Sequence, residues 1–403
     1  MRMLKLKAYF ILNLCGLFPS LGCTGSIEPP AKLNLSLPTG FQIAIFAKLN
    51  VAPRMLAFDK NGNLFVTSAK EDQLLMLPAA NIHAPSSAPV LISNALNAPN
   101  GLAFVGDDLL VANQDGVVKL TQKNGAWSQP TPFISNLPSG GHTLKTIKVG
   151  ADNFLYINLG SSCNVCVEDD ASRATILRYT LEGKPAAGLE VVGRHTNLAP
   201  IWASGLRNSQ GFAWHPKTGA MFATNNGSDN RSERKNGKVN DELPPEHLNK
   251  IEAGKNYGWP HCWGNTNNTK TMAEDPNFPG SDNFCKNSTP PAITFTAHST
   301  PIGITFLDKT NFPSDYKNDA IVALHGSWNR AQPSGYKLVR VKFNAETPTE
   351  VLDFATGWLD NDNVQENQIL GRPVDTVVGK DGALYVSDDK AKLIYRIIYK
   401  PLK

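Results

Sequence analysis

A unit of two short hydrophobic segments separated by a polar turn occurs six times along the chain. The second segment of each unit ends on Ser, Thr, Asn or His. The first segments lie at residues 54–58, 100–104, 145–149, 210–214, 302–306 and 374–378. The second segments lie at residues 64–67, 109–113, 155–158, 221–224, 321–325 and 384–387. Short apolar segments bounded by turns predict β-strands.

The turns within these units indicate antiparallel hairpins. Three of them carry a small polar residue followed by Gly, namely Asn61-Gly62, Thr218-Gly219 and Asp381-Gly382. A third apolar segment usually follows, at residues 117–120, 176–179, 338–341 and 394–397. One such unit cannot bury both faces of its sheet, so the copies must stack, and radial stacking leaves only short edges. The pattern therefore predicts an all-β fold, a six-bladed β-propeller.

The spacing of the units shows where the propeller carries insertions. Successive second strands begin 45, 46, 66, 100 and 63 residues apart. The first two intervals match a single blade, whereas the later ones contain a blade and an inserted loop. Because functional residues concentrate on loops of a rigid scaffold, residues 160–175, 225–290 and 325–335 are the segments expected to carry function.

Composition fits this architecture and excludes other classes. The chain has 403 residues, 41% of them hydrophobic and only 18% charged, which is typical of a well-buried globular protein and not of a disordered one. Its basic residues are dispersed without a basic tail, so nucleic-acid binding is not expected. Residues 37–403 are predicted to form one propeller domain, preceded by a linker at 24–36.

The first 23 residues resemble a targeting segment. Arg2, Lys5 and Lys7 precede an apolar stretch at 8–18 that is too short to span a bilayer. The segment ends at Gly22-Cys23, as in bacterial lipoproteins that are cleaved before an acylated Cys. We therefore expect export to the periplasmic side of a bacterial membrane, with Cys23 as the lipid anchor; the alternative is an ordinary secretory leader.

Four cysteines remain after this segment, at positions 163, 166, 262 and 285. An even number in an exported chain indicates disulfides, and the pairs Cys163–Cys166 and Cys262–Cys285 would each close an inserted loop. A zinc site built from all four is the alternative. Covalent haem attachment is excluded because Val167, not His, follows Cys166.

Basic side chains are concentrated just before the innermost strands, where the blades converge on the central channel. They comprise Arg54, His142, Lys145, Arg207, His298 and Arg372, and the segment that follows the second strand of the fifth unit adds His325 and Arg330. Cations directed into one cavity repel each other unless an anion neutralises them, so the set predicts an acidic ligand. Alternatively, each Arg pairs with a carboxylate nearby in the fold.

Several motifs resemble those of the pyrroloquinoline quinone (PQQ)-dependent soluble sugar dehydrogenases, in particular the L-sorbosone dehydrogenase-like branch. The resemblance extends from residue 37 to residue 397 and is strongest at 204–216 (SGLRNSQGFAWHP) and 254–260 (GKNYGWP). Further matches lie at 163–166, 241–245, 249–251, 325–330, 371–375 and 381–388. It implies an oxidoreductase that uses PQQ and Ca²⁺ to oxidise aldose sugars or sugar aldehydes. With no haem motif, electrons are expected to leave to a separate quinone or cytochrome.

The resemblance also implies roles for individual residues. His142 matches the base that takes the substrate hydroxyl proton while hydride passes to the quinone. The residues expected to hold the tricarboxylate cofactor are Arg207, Asn208 and Arg372, with Arg330, His325, Lys145 and Asn100 as weaker candidates. The turn of Asn226, Gly227 and Ser228 matches the calcium loop, completed by a carboxylate from either Asp241-Glu242 or Glu246-His247.

Two departures from the family pattern leave other functions open. Ser161 stands where glucose-oxidising members place an Asp that orients the histidine, so this support is absent or comes from Asp169 or Asp170. Residues 231–238 lengthen the calcium loop. The alternatives are a calcium-dependent propeller hydrolase such as a lactonase, which has no need of several arginines, and a non-catalytic binding propeller, which has no need of His142.

Overall fold

A computed structural model of the chain describes residues 34–78, 88–186, 201–265, 270–360 and 368–401. The predicted leader, Cys23 and most of the predicted linker lie outside these residues. Six antiparallel sheets, five of four strands and one of five, are arranged around a central axis in the described residues, so the predicted six-bladed β-propeller is confirmed. No helix among the described residues has both the length and the apolar character needed to cross a membrane.

The chain closes the propeller by pairing its two ends. Strand β1 (Phe41–Lys48) is antiparallel to the last strand of the chain and completes blade 6 from the outside. Blades 1 to 3 follow in sequence. Blade 1 contains β2 (Leu56–Phe58), β3 (Leu64–Ser68), β4 (Gln73–Leu77) and β5 (Val90–Ser93). Blade 2 contains β6 (Leu102–Val105), β7 (Asp108–Asn113), β8 (Gly116–Lys123), β9 (Ala126–Trp127) and β10 (Thr131–Ile134), and blade 3 contains β11 (Ile147–Val149), β12 (Leu155–Leu159), β13 (Thr175–Tyr179) and β14 (Ile201–Ser204).

Blade 4 carries the largest insertion. Its strands, with the inserted hairpin β18–β19 and helix α1, are β15 (Phe212–Trp214), β16 (Met221–Asn225), β17 (Glu246–Ile251), β18 (Cys262–Gly264), β19 (Met272–Glu274), α1 (Asp282–Asn287) and β20 (Ile293–Phe295). Blade 5 contains β21 (Pro301–Phe306), a 3-10 helix (Ser314–Tyr316), β22 (Ala320–Leu324), β23 (Lys337–Asn344) and β24 (Thr347–Ala355). A separate small pair, β25 (Leu359–Asp360) and β26 (Gln368–Ile369), comes next. Blade 6 contains β27 (Pro373–Val378), β28 (Leu384–Asp388) and β29 (Leu393–Tyr399), together with β1.

Hydrophobic packing fills every interface between neighbouring blades. Six clusters of buried side chains lie one at each interface, as expected for units that bury their faces only against each other. The interface of blades 5 and 6 includes Trp358 and Tyr395, which are both buried. Met55, Ile302 and Val374 form a smaller cluster from the innermost strands of three blades.

The polar residues that end the second strands tie the blades together around the axis. Thr67 Oγ1 donates to the Asn100 carbonyl of the next blade at 2.7 Å, and Thr224 Oγ1 donates to the Ile302 carbonyl at 2.8 Å. Ser387 Oγ donates to the Arg54 carbonyl at 2.6 Å, across the closure of the ring. These hydrogen bonds satisfy backbone carbonyls that the short innermost strands leave without a partner.

Both predicted disulfides are present, Cys163–Cys166 in the loop between β12 and β13 and Cys262–Cys285 across the blade 4 insertion. Their pairing excludes the four-cysteine zinc site. Several innermost strands begin later than predicted: β2 begins at Leu56, β6 at Leu102 and β11 at Ile147. The residues just before them serve as connections near the axis instead of strand residues.

Candidate active site

A cavity of about 260 Å³ opens where the loops of five blades meet on the central axis. It is lined mainly by polar and charged side chains. The lining residues are Arg54, His142, Leu144, Arg207, Asn208, Gln210, Asn226, Gly227, Asp229, Glu246, His298, Thr300, Ile302, His325, Trp328, Asn329 and Arg372. The three loop segments expected to carry function either line this cavity or contact its lining residues.

His142 lies on one wall of the cavity with one ring nitrogen fixed by the protein. Its Nδ1 lies 2.9 Å from Ser161 Oγ and 3.2 Å from the Ser161 carbonyl, and Ser161 Oγ donates to the Cys163 carbonyl at 2.7 Å. Because the hydroxyl proton is used in that bond, Ser161 Oγ accepts from Nδ1–H, and Nε2 keeps a free lone pair. Burial and the charge of Arg207 lower the pKa of His142 to about 4, so the ring is neutral near pH 7.

Close approach of the backbone makes this arrangement possible. A Cβ atom on Gly160 would lie 2.4 Å from the His142 carbonyl oxygen, so only glycine fits there. The sequence-based expectation of support from Asp169 or Asp170 is replaced by Ser161 itself. Asp170 instead accepts hydrogen bonds from the backbone and side chain of Ser172.

Arg207 is held almost entirely by the protein. Its Nη1 donates to the Gly227 carbonyl at 2.7 Å, and its Nη2 donates to Asp229 Oδ2 at 2.8 Å and to Asn164 Oδ1 at 2.9 Å. Its Nε donates to the Asn164 carbonyl at 3.1 Å. The guanidinium therefore organises the oxygen atoms around it, and the alternative that each Arg pairs with a local carboxylate holds here.

Oxygen atoms accumulate beside Arg207. Glu246 is buried, accepts from the Gly227 amide at 2.5 Å and lies on the same wall as Asp229 and Asn226. Burial raises the pKa of Glu246 to about 7, against the opposing hydrogen bond from Gly227. The side-chain oxygens of Asn208 and Asn226 are buried in residues that line the cavity, and they have no hydrogen-bond partner among the described residues. Buried oxygen atoms that lack a hydrogen bond, together with two carboxylates, are the ligand atoms that a hard cation requires.

The opposite wall carries a second polar network. His325 Nε2 lies 3.0 Å from both oxygens of Asp389, and Arg54 Nη1 donates to Asp389 Oδ2 at 3.1 Å. Burial alone would raise the pKa of Asp389, but the hydrogen bond from His325 and the charge of Arg54 outweigh it and hold that pKa well below its usual range. Arg54 also donates to Gln210 at 2.8 Å. Asp389 thus neutralises Arg54, whereas burial lowers the pKa of His325 to about 4 and leaves its ring neutral near pH 7.

Arg372 differs from the other cavity arginines. Its Nε and Nη2 donate to the carbonyls of His325 and Gly326 at 3.1 and 2.6 Å, and in the described part of the chain it forms no ion pair. Burial lowers its pKa, although a guanidinium stays charged. It is therefore the arginine best placed to bind an anionic group in the cavity.

The structure places other predicted site residues away from the cavity. The Lys145 ammonium donates to the carbonyls of Gln114, Pro138 and Thr143, which uses all three of its protons. Asn100 is buried between Arg54 and the backbone of Lys145. Two further residues lie on the rim: Arg330 pairs with Glu242, and Asp241 accepts from the Ala331 amide at 2.8 Å.

The two candidates left open for the carboxylate of the predicted calcium loop lie in different places. Glu246 contacts Gly227 and lines the cavity, whereas Asp241 and Glu242 bind the rim loop after β22. His247 points its Nε2 to the Gly264 amide instead. Ser228 is buried next to the cluster but does not line the cavity.

Sequence reasoning missed Asn164, Asp229 and Asp389 as members of the site. Asp229 follows the predicted calcium turn directly, and Asn164 lies between the cysteines of the first disulfide, so both positions could have been noted. Trp328, with 72% of its surface exposed, also lines the cavity. It lies within the 325–330 motif.

Comparison with known protein families agrees with this arrangement. A family model described as TrAA12-like matches residues 35–400. The chain belongs to the TrAA12-like family. Over 423 aligned residues this TrAA12-like chain is 26% identical to a protein of Coprinopsis cinerea named pyrroloquinoline quinone-dependent pyranose dehydrogenase. The alignment covers 93% of the chain and 56% of the relative, so the chain spans about half of that relative's length.

Solved structures show the same fold. The calcium structure of a Trichoderma reesei protein of carbohydrate-active enzyme family AA12 matches with a TM-score of 0.80 and 21% identity, covering 94% of this TrAA12-like chain and all of that chain. The holo form of the PQQ domain of pyranose dehydrogenase from Coprinopsis cinerea matches with a TM-score of 0.76 and 22% identity, over 92% and 98% of the two chains. At these identities the likeness establishes the fold.

Proposed function

We propose that this chain is a PQQ-dependent sugar dehydrogenase that oxidises an aldose or a sugar aldehyde of the sorbosone type. The proposal rests on three features that share one cavity. His142 is neutral and has Nε2 available. Among the described residues, the side-chain oxygens of Asn208 and Asn226 have no hydrogen-bond partner and Arg372 has no ion pair. The name of the fungal relative, a PQQ-dependent pyranose dehydrogenase, supports the same reading.

The residues of the cavity fit the two groups that this reaction requires. Asn208 Oδ1 and Asn226 Oδ1 are unsatisfied acceptors that Ca²⁺ would bind, together with Glu246 and Asp229. Arg372 would bind a carboxylate of the tricarboxylate quinone, and Arg207 would hold the calcium ligands in position. When bound, the quinone supplies the acceptor for the two electrons and the carbon-bound hydrogen of the substrate.

The chain itself supplies proton transfer and substrate placement. His142 Nε2 accepts the proton of the substrate hydroxyl, and Ser161 keeps the ring in the tautomer that allows it. Trp328 lies exposed at the cavity mouth, where its ring offers an apolar surface for one face of a sugar. A hydrolase would use the same histidine and cation but gives no role to the unpaired Arg372, so we favour the dehydrogenase.

The proposal is tested by reconstituting purified apo-protein with quinone and Ca²⁺ and recording absorbance spectra before and after sugars are added. We expect spectral reduction of the bound quinone by an aldose or sugar aldehyde, followed by reduction of an added dye acceptor. Controls replace Ca²⁺ with Mg²⁺, which needs a tighter octahedral site, or omit the quinone. Absence of spectral change with every sugar, or lactone hydrolysis without quinone, would contradict the proposal.

A further inference from the structure

The loop between β12 and β13 contacts both halves of the cavity without lining it. The loop is a tight turn closed twice, by the Cys163–Cys166 disulfide and by Glu168, which accepts from the backbone and hydroxyl of Ser162 at 2.7 Å each. These two closures lie on the solvent side. They hold Asn164 against the cavity wall, although Asn164 itself is exposed.

Asn164 uses every polar atom of its side chain, and its carbonyl, on that wall. Its Oδ1 accepts from Arg207 Nη2 at 2.9 Å and from the Asp229 amide at 2.8 Å, and its Nδ2 donates to the Asp229 carbonyl at 2.9 Å. Its carbonyl accepts from Arg207 Nε at 3.1 Å and from Trp259 Nε1 at 3.3 Å. Asn164 therefore fixes Arg207 and Asp229 relative to each other from outside the cavity.

The same loop also reaches His142. The Cys163 carbonyl accepts the Ser161 hydroxyl proton, and this bond leaves the Ser161 oxygen to accept from His142 Nδ1. One turn thus sets the orientation of the proposed base and the geometry of the proposed cation cluster.

We propose that Asn164 is a positioning residue for Arg207 and Asp229, and that the Cys163–Cys166 disulfide is needed to present it. The proposal deepens the function proposed above and rests on it for the activity readout only. Asn164 does not line the cavity. It acts by keeping the charged side chains of Arg207 and Asp229 in one arrangement. In the sequence, Arg207 lies 43 residues after Asn164 and 22 residues before Asp229.

The first test compares Asn164→Ala, Asn164→Asp and, as a control on the same loop, Val167→Ala, which truncates an exposed side chain outside both closures. Asn164→Ala loses the acceptor for Arg207 Nη2, so the quinone and Ca²⁺ concentrations for half-maximal activity should rise roughly tenfold, the effect of one hydrogen bond to a charged group. Turnover at saturating cofactors and the melting temperature should stay close to wild type. Asn164→Asp keeps the acceptor and should recover most of the affinity, whereas Val167→Ala should match wild type.

Hydrogen exchange of the apo-protein provides a readout that does not depend on activity. The Asp229 N–H donates a hydrogen bond to Asn164 Oδ1, so Asn164→Ala should accelerate exchange of this amide. The exchange of the β28 amides should be unchanged. If wild type lacks dehydrogenase activity but this change occurs, the proposed function fails and the positioning role stands. If exchange and cofactor affinity are both unaffected, the positioning role is wrong.

The disulfide is tested with two double variants. Cys163→Ser with Cys166→Ser should reproduce the loss of cofactor affinity and the faster exchange at Asp229. Cys262→Ser with Cys285→Ser, which removes the disulfide of the blade 4 insertion, is the matched control and should change the melting temperature more than the cofactor affinity. Equal effects of both pairs on cofactor affinity, or none from the first, would overturn the role of Cys163–Cys166.

Discussion

Ser161 Oγ lies 2.9 Å from His142 Nδ1 and donates a hydrogen bond to the Cys163 carbonyl. A hydroxyl therefore fixes the tautomer of His142 without adding a negative charge. Since no carboxylate in the described part of the chain bonds the ring, burial dominates and the pKa of His142 falls to about 4. The ring is ready to accept a proton over a wide pH range, but it is a weaker base than one paired with a carboxylate.

The first prediction concerns the pH dependence of sugar oxidation. His142 must be neutral to accept a proton, so with Ca²⁺ kept saturating at every pH, kcat/KM should fall as pH drops through about 4 and stay level up to neutral pH, instead of falling near the unperturbed value of about 6.5. Ser161→Asp adds a carboxylate beside the ring and should move this acid limb to higher pH, whereas Ser161→Ala should not. An acid limb near 6.5 in wild type would contradict the assignment.

A second prediction concerns the cation. Burial raises the pKa of Glu246 to about 7, so below that pH Ca²⁺ must displace a proton from the carboxyl group. Calcium affinity, measured by calorimetry, should fall up to about tenfold per pH unit below 7 and level off above 8. Glu246→Gln should weaken binding and remove this pH dependence. Asp241→Asn, on the rim, should leave both unchanged; the reverse result would place the site at Asp241.

A third prediction separates two arginines that sequence reasoning grouped together. Arg372→Ala removes the cavity arginine without an ion pair and should raise the quinone dissociation constant by roughly 10- to 100-fold, equivalent to about 1.5–3 kcal/mol. Arg330→Ala breaks the rim pair with Glu242 and a hydrogen bond to the Ala297 carbonyl, and because neither partner lines the cavity it should have a much smaller effect. Fluorescence titration of both variants with quinone in excess Ca²⁺ measures the difference. Equal losses would show that the cofactor reaches the rim.

The blades could be predicted from the sequence because residues close together in the chain encode each hairpin, as apolar strands that alternate with turns such as Asp381-Gly382. The site could be predicted only in part. A position before an innermost strand brings a residue near the axis but does not set the direction of its side chain. The sequence therefore predicts the same role for Lys145 and Arg372, although the Lys145 ammonium is directed at backbone carbonyls away from the cavity.

The remaining site residues depend on contacts between distant loops. Asn164 meets Arg207 and Asp229 only once blades 3 and 4 are packed together, and Asp389 meets His325 only once blades 5 and 6 are packed together. No local spacing encodes such pairs. Likewise, the raised pKa of Glu246 arises from burial by the whole fold.

A fourth prediction concerns export, which rests on the sequence of the first 23 residues. If Gly22-Cys23 is a lipoprotein cleavage site, the mature chain begins at an acylated Cys23, and several acyl chains anchor it stably to a membrane. Mass spectrometry of the native N-terminus measures this directly, and Cys23→Ser should release the protein from the membrane fraction. An unmodified N-terminus beyond Cys23 would instead support an ordinary secretory leader.

The central claim is that His142 is the proton acceptor in quinone-dependent sugar oxidation. It is tested most directly by measuring dye-coupled turnover of His142→Ala at saturating quinone and Ca²⁺, with quinone binding measured in parallel by fluorescence. We predict a loss of turnover on the order of 10²–10⁴-fold with quinone affinity close to wild type, because the ring holds a proton and not the cofactor. Near-normal turnover of His142→Ala would contradict the account.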